Sequence, residues 1–145
     1  IKAACLLHDV SWRAHPDYRH EVCFDEVTRA NLGGLTHKER VFLGVALLHR
    51  YKNSRDGSPF TDLFEMLTEE DLRQAEILGK AMRFGAMLTA SKDDAIGKLR
   101  YYPKRKSLEL LLSPGTRDLF GEVAEARLGA LASALGEIEV VVKGR

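Results

Sequence analysis

The side chains best suited to chemistry lie in the first third of the chain, where all five histidines, His8, His15, His20, His37 and His49, are found. Imidazole titrates near neutral pH and is a common metal ligand, so the spacing of these residues matters. The adjacent pair His8-Asp9 closes an apolar run, Ala3-Ala4-Cys5-Leu6-Leu7, that reads as a helix. Where a helix stops at such a pair, both side chains can reach one metal ion. The alternative is structural: a histidine at a helix C-terminus favours the dipole by about 0.3–1 kcal/mol, with Asp9 serving as a cap or ion-pair partner. His20 and His49 are placed to converge on His8 if the helices bundle, or to sit partly buried and satisfied. Cys5 lies near His8, but its apolar neighbours point to an inert core thiol rather than a nucleophile.

A second constellation is basic. Lys98, Arg100, Lys104, Arg105 and Lys106 put five cations into nine residues, with Tyr101 and Tyr102 among them. Such a cluster can hold a polyanion through phosphate contacts that weaken with salt, or can guard an edge strand against pairing. Arg50 and Lys52, with His49 and Arg55 nearby, form a looser set where cations also suit a helix terminus. There is no Gly-rich phosphate loop, no zinc-spaced cysteine pair, no Gly-x-Ser-x-Gly turn and no dinucleotide fingerprint.

The elements that must position these residues are mostly helical. Pro16 disfavours helix at His15, so residues 10–16 form a loop, and Asp17 is expected to cap a helix over 18–31 that stops at Gly33-Gly34. Thr36 and Glu39 make a capping box for a helix to about Arg50, its stripe Val41, Phe42, Val45, Leu48 forming core. Asn53 to Pro59 is a turn-rich loop, with a short helix expected over 60–66. Thr68 then starts a long helix to about Thr89, with Leu72, Ala75, Leu78, Met82, Gly85 and Ala86 facing inward. Ser91-Lys92-Asp93-Asp94 is the expected boundary between a helical domain, 1–90, and a small unit, 96–145.

In that unit Lys98–Tyr102 and Ser107–Leu112 read as strands joined by Pro103-Lys104-Arg105-Lys106. A helix over 117–135, with Phe120, Ala124, Leu128, Leu131 and Leu135 on one side, leads to a final strand over 137–143 in which Ile138, Val140 and Val142 alternate with Glu137, Glu139 and Val141. The fold class is α+β, mostly α: a helical bundle followed by a strand-strand-helix-strand unit.

The 145 residues carry 22 Lys and Arg against 21 Asp and Glu, a formal net charge of +1. No global field advertises nucleic acid or a membrane surface, and neither partner is expected. The apolar runs fall far short of the roughly 20 residues a membrane helix needs. Two cysteines, Cys5 and Cys23, make no disulfide framework, which agrees with a cytoplasmic location. The chain opens without Met, inside what reads as a helix, and is expected to be a piece of something larger.

The His8-Asp9 dipeptide is similar to the signature of HD metal phosphohydrolases, whose site also needs an upstream His and a later Asp. The wider pattern is more specific. Ala4-Cys5-Leu6-Leu7-His8-Asp9-Val10, His15, Tyr18-Arg19-His20-Glu21 and Leu47-Leu48-His49-Arg50-Tyr51-Lys52 together resemble the C-terminal region of the exopolyphosphatase and guanosine pentaphosphate phosphohydrolase family. The likeness covers essentially the whole chain.

The resemblance implies an HD-like helical region belonging to a bacterial, magnesium-dependent hydrolase of terminal phosphates. The catalytic carboxylates would lie in N-terminal actin-like domains of the same chain, so no catalytic residue and no bound cofactor are expected here. It further implies a homodimer and a polyphosphate-holding role for Arg50, Lys52, Lys98, Arg100, Lys104, Arg105 and Lys106. His8, Asp9, His20 and His49 would be a residual HD site, with His8 and Asp9 the metal ligands if there are any. Two other readings stay open: an HD-type metal phosphohydrolase acting on nucleotides, and a purely structural dimerisation domain.

Overall fold

The computed structural model describes residues 1–88 and 96–144, and the expected break at Ser91–Asp94 lies outside them. Among the described residues, six α-helices and three strands run in the order α1 (Lys2–Leu7), α2 (Arg19–Arg29), α3 (His37–Tyr51), α4 (Thr61–Phe64), α5 (Glu69–Leu88), β1 (Gly97–Tyr102), β2 (Ser107–Leu112), α6 (Glu122–Gly136), β3 (Glu139–Gly144). The class is α+β, mostly α, as the periodicities indicate. The chain forms two compact units, Ile1–Met82 and Arg83–Arg145, dividing inside α5. The last turn of α5 belongs with the second unit, where the Ile96 amide donates to the Leu88 carbonyl.

The first unit is organised by α3. Its capping box forms as expected: the Glu39 amide donates to Thr36 Oγ1, and the Thr36 amide donates to Glu39 Oε2 at 2.7 Å. The Thr36 amide first and the Thr36 hydroxyl second, both donating to the Glu39 carboxylate, hold that carboxyl below its usual range. Burial on α3 extends well beyond the expected stripe, to Leu43, Gly44, Ala46, Leu47 and His49, because neighbouring helices cover it on several sides. Phe24 of α2 is fully buried, stacked on Phe60 at 4.4 Å and edge-on to Phe64 at 5.6 Å between ring centroids. A Cβ at Gly44 would come within 2.9 Å of the Phe24 ring, so glycine lets α2 and α3 approach there. At the start of α5, Thr68 and Asp71 exchange amide-to-side-chain bonds of 3.1 Å, and Lys38 reaches Asp71 at 2.8 Å. Together they pull the Asp71 carboxyl down to about 2, with the Lys38 contact the largest cause.

In the second unit the strand order is β1-β2-β3. β1 and β2 form an antiparallel hairpin pairing Leu99 with Leu110 and Tyr101 with Leu108, and β2 and β3 are parallel. Parallel neighbours require a crossover, which α6 supplies. The apolar face of β2, Leu108, Leu110 and Leu112, is buried, as are Ala124, Leu128, Leu131 and Ala132 of α6.

Several expectations are corrected. Asp17 does not cap α2; Tyr18 occupies the N-cap without a side-chain bond, and Asp17 instead stands beside His15, its carboxylate 3.6 Å from Nδ1. The helix expected over 117–135 is broken, because Gly121 takes an extended conformation and becomes the N-cap of α6, leaving Arg117–Leu119 as a separate 3-10 turn. Late in α5 it is Phe84 that is fully buried, while Ala86 is exposed. Val140 and Val142 are partly exposed, since β3 is an edge of the sheet. Cys5 is exposed, not core; the buried thiol is Cys23.

Candidate functional site

Three polar constellations stand out, and each lies within one unit. The first surrounds Tyr51, the last residue of α3. Its hydroxyl donates to the His8 carbonyl and so ties α3 to the turn that follows α1. Two guanidinium groups lie near its ring, Arg50 at 5.2 Å and Arg19 at 5.8 Å from the centroid. Arg19 also clasps the loop before α2, donating to the carbonyls of Trp12 at 3.0 Å and Ala14 at 3.2 Å. Ser11 closes the turn by donating to the Arg19 carbonyl. Burial raises the Tyr51 hydroxyl, with smaller contributions from Cys23 and Asp9 opposed by Arg50 and Arg19. Burial likewise pushes the Cys23 thiol up to about 11, which makes it inert near neutral pH.

The residues expected to form a residual HD site are placed separately. His8 Nδ1 turns back on its own helix, 2.7 Å from the Cys5 carbonyl, and Asp9 is exposed. His20 stands 3.5 Å from Glu21 Oε1, and burial first and Lys52 second lower its pKa against the pull of Glu21. His49 shares Lys52 with His20 but otherwise faces Glu76, Lys80 and Arg55. Among the described residues no three His, Cys, Asp or Glu side chains gather closely enough to hold a metal ion. Among the described residues the donors around His8 and Asp9 therefore do not by themselves make up a metal site.

The second constellation was not anticipated from the sequence. His49 is 0% exposed, and neither ring nitrogen has a hydrogen-bond partner. The charges acting on it are Glu76 and Lys80 of α5 and Arg55 of the loop that follows α3. Lys80, itself buried, donates to Glu76 Oε1, and Arg55 Nη1 lies 3.7 Å from Glu76 Oε2. Burial is the main cause that lowers the His49 pKa, so the ring is neutral at pH 7. The Glu76–Lys80 spacing of four residues was visible in the sequence. Its burial was not, because that depends on α5 crossing α3 at Gly79, where a Cβ would lie 2.2 Å from the Ala46 carbonyl.

The third constellation is the β1–β2 hairpin. Pro103–Arg105 form a 3-10 turn, and Lys106 closes it in the left-handed region at φ 47°. Register places Lys98, Arg100 and Tyr102 on one face of β1 and Leu99 and Tyr101 on the other. Opposite Arg100 is Glu109, whose carboxylate is held instead by Lys143 of β3 at 3.1 Å. Among the described residues none of Lys98, Arg100, Lys104, Arg105 and Lys106 has an ion-pair partner; Arg105 lies 5.6 Å over the Tyr102 ring. Tyr101, Tyr102, Pro103, Lys104 and Arg105 line an open cleft of about 350 Å³. Arg50 and Lys52 in the first unit are likewise without ion-pair partners.

The fold and these surfaces define a small, mainly helical α+β protein whose hairpin carries five cations without ion-pair partners among the described residues. The chain matches the family Exopolyphosphatase, C-terminal, over residues 1–142, and it belongs to that family. No curated protein matches it. No helix among the described residues is long and apolar enough to cross a membrane.

Proposed function

We propose that this chain is the C-terminal accessory part of an exopolyphosphatase, holding the anionic substrate and joining two copies while the phosphoanhydride bond is cut elsewhere. The observation that carries the reading is the family membership over 1–142, taken with five unpaired cations on one hairpin. Polyphosphate or guanosine pentaphosphate is the substrate class, and the catalytic centre, with its magnesium, lies in N-terminal actin-like domains of the same cytoplasmic enzyme.

The physical contribution is multivalent. Each exposed cation adds little alone, but many phosphates on one chain are held together, which raises the concentration of the terminal phosphate at the catalytic site. The hairpin, with Lys98, Arg100, Lys104, Arg105 and Lys106, is one such holding surface, and Arg50 with Lys52 is another. The apolar surface that dimerisation would cover includes Leu6, 73% exposed, and Trp12, 60% exposed.

The test is the triple substitution Lys104→Gln, Arg105→Gln, Lys106→Gln in the full-length enzyme, assayed on polyphosphates of long and short length. The KM for long chains should rise about tenfold at low salt, with a much smaller change for short chains. Equal changes for both lengths would remove the holding role.

A further inference from the structure

Polyphosphate is charged oxygen throughout and gains nothing from apolar walls, yet the hairpin carries a cleft with exactly such walls beside its cations. Tyr101 is 44% exposed, a large ring left at the surface of a strand whose other apolar residue, Leu99, is half-buried. Together with Tyr102 and Pro103 it forms the apolar side of the 350 Å³ cleft, and Lys104 and Arg105 form the charged side. On the opposite face of this edge strand Lys98, Arg100 and Tyr102 follow one another about 7 Å apart, and Tyr102, which also lines the cleft, joins the two faces. Glu109 faces Arg100 across the hairpin, but it is engaged by Lys143, and the local balance stays positive.

A ligand that uses all of these groups has a flat ring for the cleft and several phosphates for the cations. We propose that the hairpin binds single-stranded nucleic acid, one base resting in the Tyr101–Tyr102–Pro103 cleft and the flanking phosphates held by Lys104, Arg105, Arg100 and Lys98. Aromatic rings beside a cationic track are how sequence-tolerant single-strand binding is built, because every base has a face to stack. The near-zero net charge of the chain does not oppose this, since the track is local. The inference stands apart from the polyphosphate reading: it depends on the rings, and that reading depends on charge alone.

The experiment is fluorescence anisotropy on the full-length protein at low salt, using labelled ten-nucleotide oligo(U) and oligo(dT), a ten-base-pair duplex, and long polyphosphate as competitor. Both single strands should bind more tightly than the duplex, since stacking in the cleft needs an unpaired base and no 2′-hydroxyl. Tyr101→Ala should weaken single-strand binding about tenfold while leaving the polyphosphate affinity unchanged. Tyr101→Phe, which keeps the ring and the fold, should retain binding. Lys104→Gln should weaken both ligands. Duplex binding as tight as single-strand binding, an unchanged single-strand affinity in Tyr101→Ala, or an equal loss for polyphosphate in that variant would each overturn the proposal. A protein that binds oligonucleotides but not polyphosphate would overturn only the holding role.

Discussion

Gly79 and Gly85 sit six residues apart on the same helix, and alanine should act on them with opposite sign. A Cβ at Gly79 would lie 2.2 Å from the Ala46 carbonyl oxygen and 2.5 Å from His49 Cβ, whereas one at Gly85 would meet nothing within 4 Å. Ordinary contact begins near 3.4 Å, and the obstacle at Gly79 is backbone, so α5 must move from α3 by roughly 1 Å. Forcing apart a packed helix crossing costs about 1–3 kcal/mol, and more where the side chains around it lose contact as well. Here those include Ala46 and His49, both fully buried. The better helix propensity of alanine returns at most about 1 kcal/mol. Gly79→Ala should therefore lose about 2 kcal/mol, whereas Gly85→Ala should gain about 0.5–1 kcal/mol from helix propensity and a stiffer unfolded chain. For a chain of this size the first corresponds to a melting temperature roughly 4–8 °C lower. Urea and thermal denaturation of the two variants beside the parent protein supply the measurement. A Gly79→Ala protein as stable as the parent would refute the close crossing and, with it, the account of why His49 and Lys80 are buried.

Two further outcomes follow from the same geometry. The His49 pKa is lowered from 6.5 in the folded state, so below about pH 6.5 the unfolded chain binds a proton that the folded chain does not, and stability must fall with pH. His49→Met, which removes a ring with no hydrogen bond to lose, should keep or slightly raise stability at pH 7.5 and flatten the decline between pH 7.5 and 5.5; an unchanged slope in urea titrations would refute it. If two copies join through the face proposed above, Trp12→Ser should shift the sedimenting species of the full-length protein toward monomer, with melting temperature changed by less than about 2 °C because the ring is already exposed; an unaltered sedimenting species would remove this face from the interface.

Local chemistry made much of the fold legible. The Thr36–Glu39 box, the Thr68 start of α5 and the basic turn between β1 and β2 all rest on interactions within four or five residues, and all three form. The errors have a different origin. Whether Gly121 bends or continues a helix depends on what the segment after Pro114-Gly115 must reach, and the edge position of β3 depends on the order of strands in the sheet. Cys5 was misread for a similar reason, since apolar neighbours in sequence do not say which side of a six-residue helix faces the core.

The site divides along the same line. The hairpin cations were readable because a strand pair joined by four residues keeps its charged residues together whatever surrounds it. The histidines were not, because their meeting required three helices to present the right faces at once. His49 shows how the alternative arose. One residue before Arg50 on α3, it lies on the side crossed by α5, and its neighbours are Glu76, Lys80 and Arg55, while Arg50 and Tyr51 turn toward α1 and α2. A rotation of about 100° per residue separates adjacent side chains on a helix, so His49 and Tyr51 are some 200° apart. The dense run Leu47 to Lys52 thus serves two constellations rather than one: a fully buried imidazole packed beside the Glu76–Lys80–Arg55 ion cluster, and a cation-flanked tyrosine that ties α3 to the turn at His8. The placement of Gly79 opposite His49 makes that side of α3 a helix crossing.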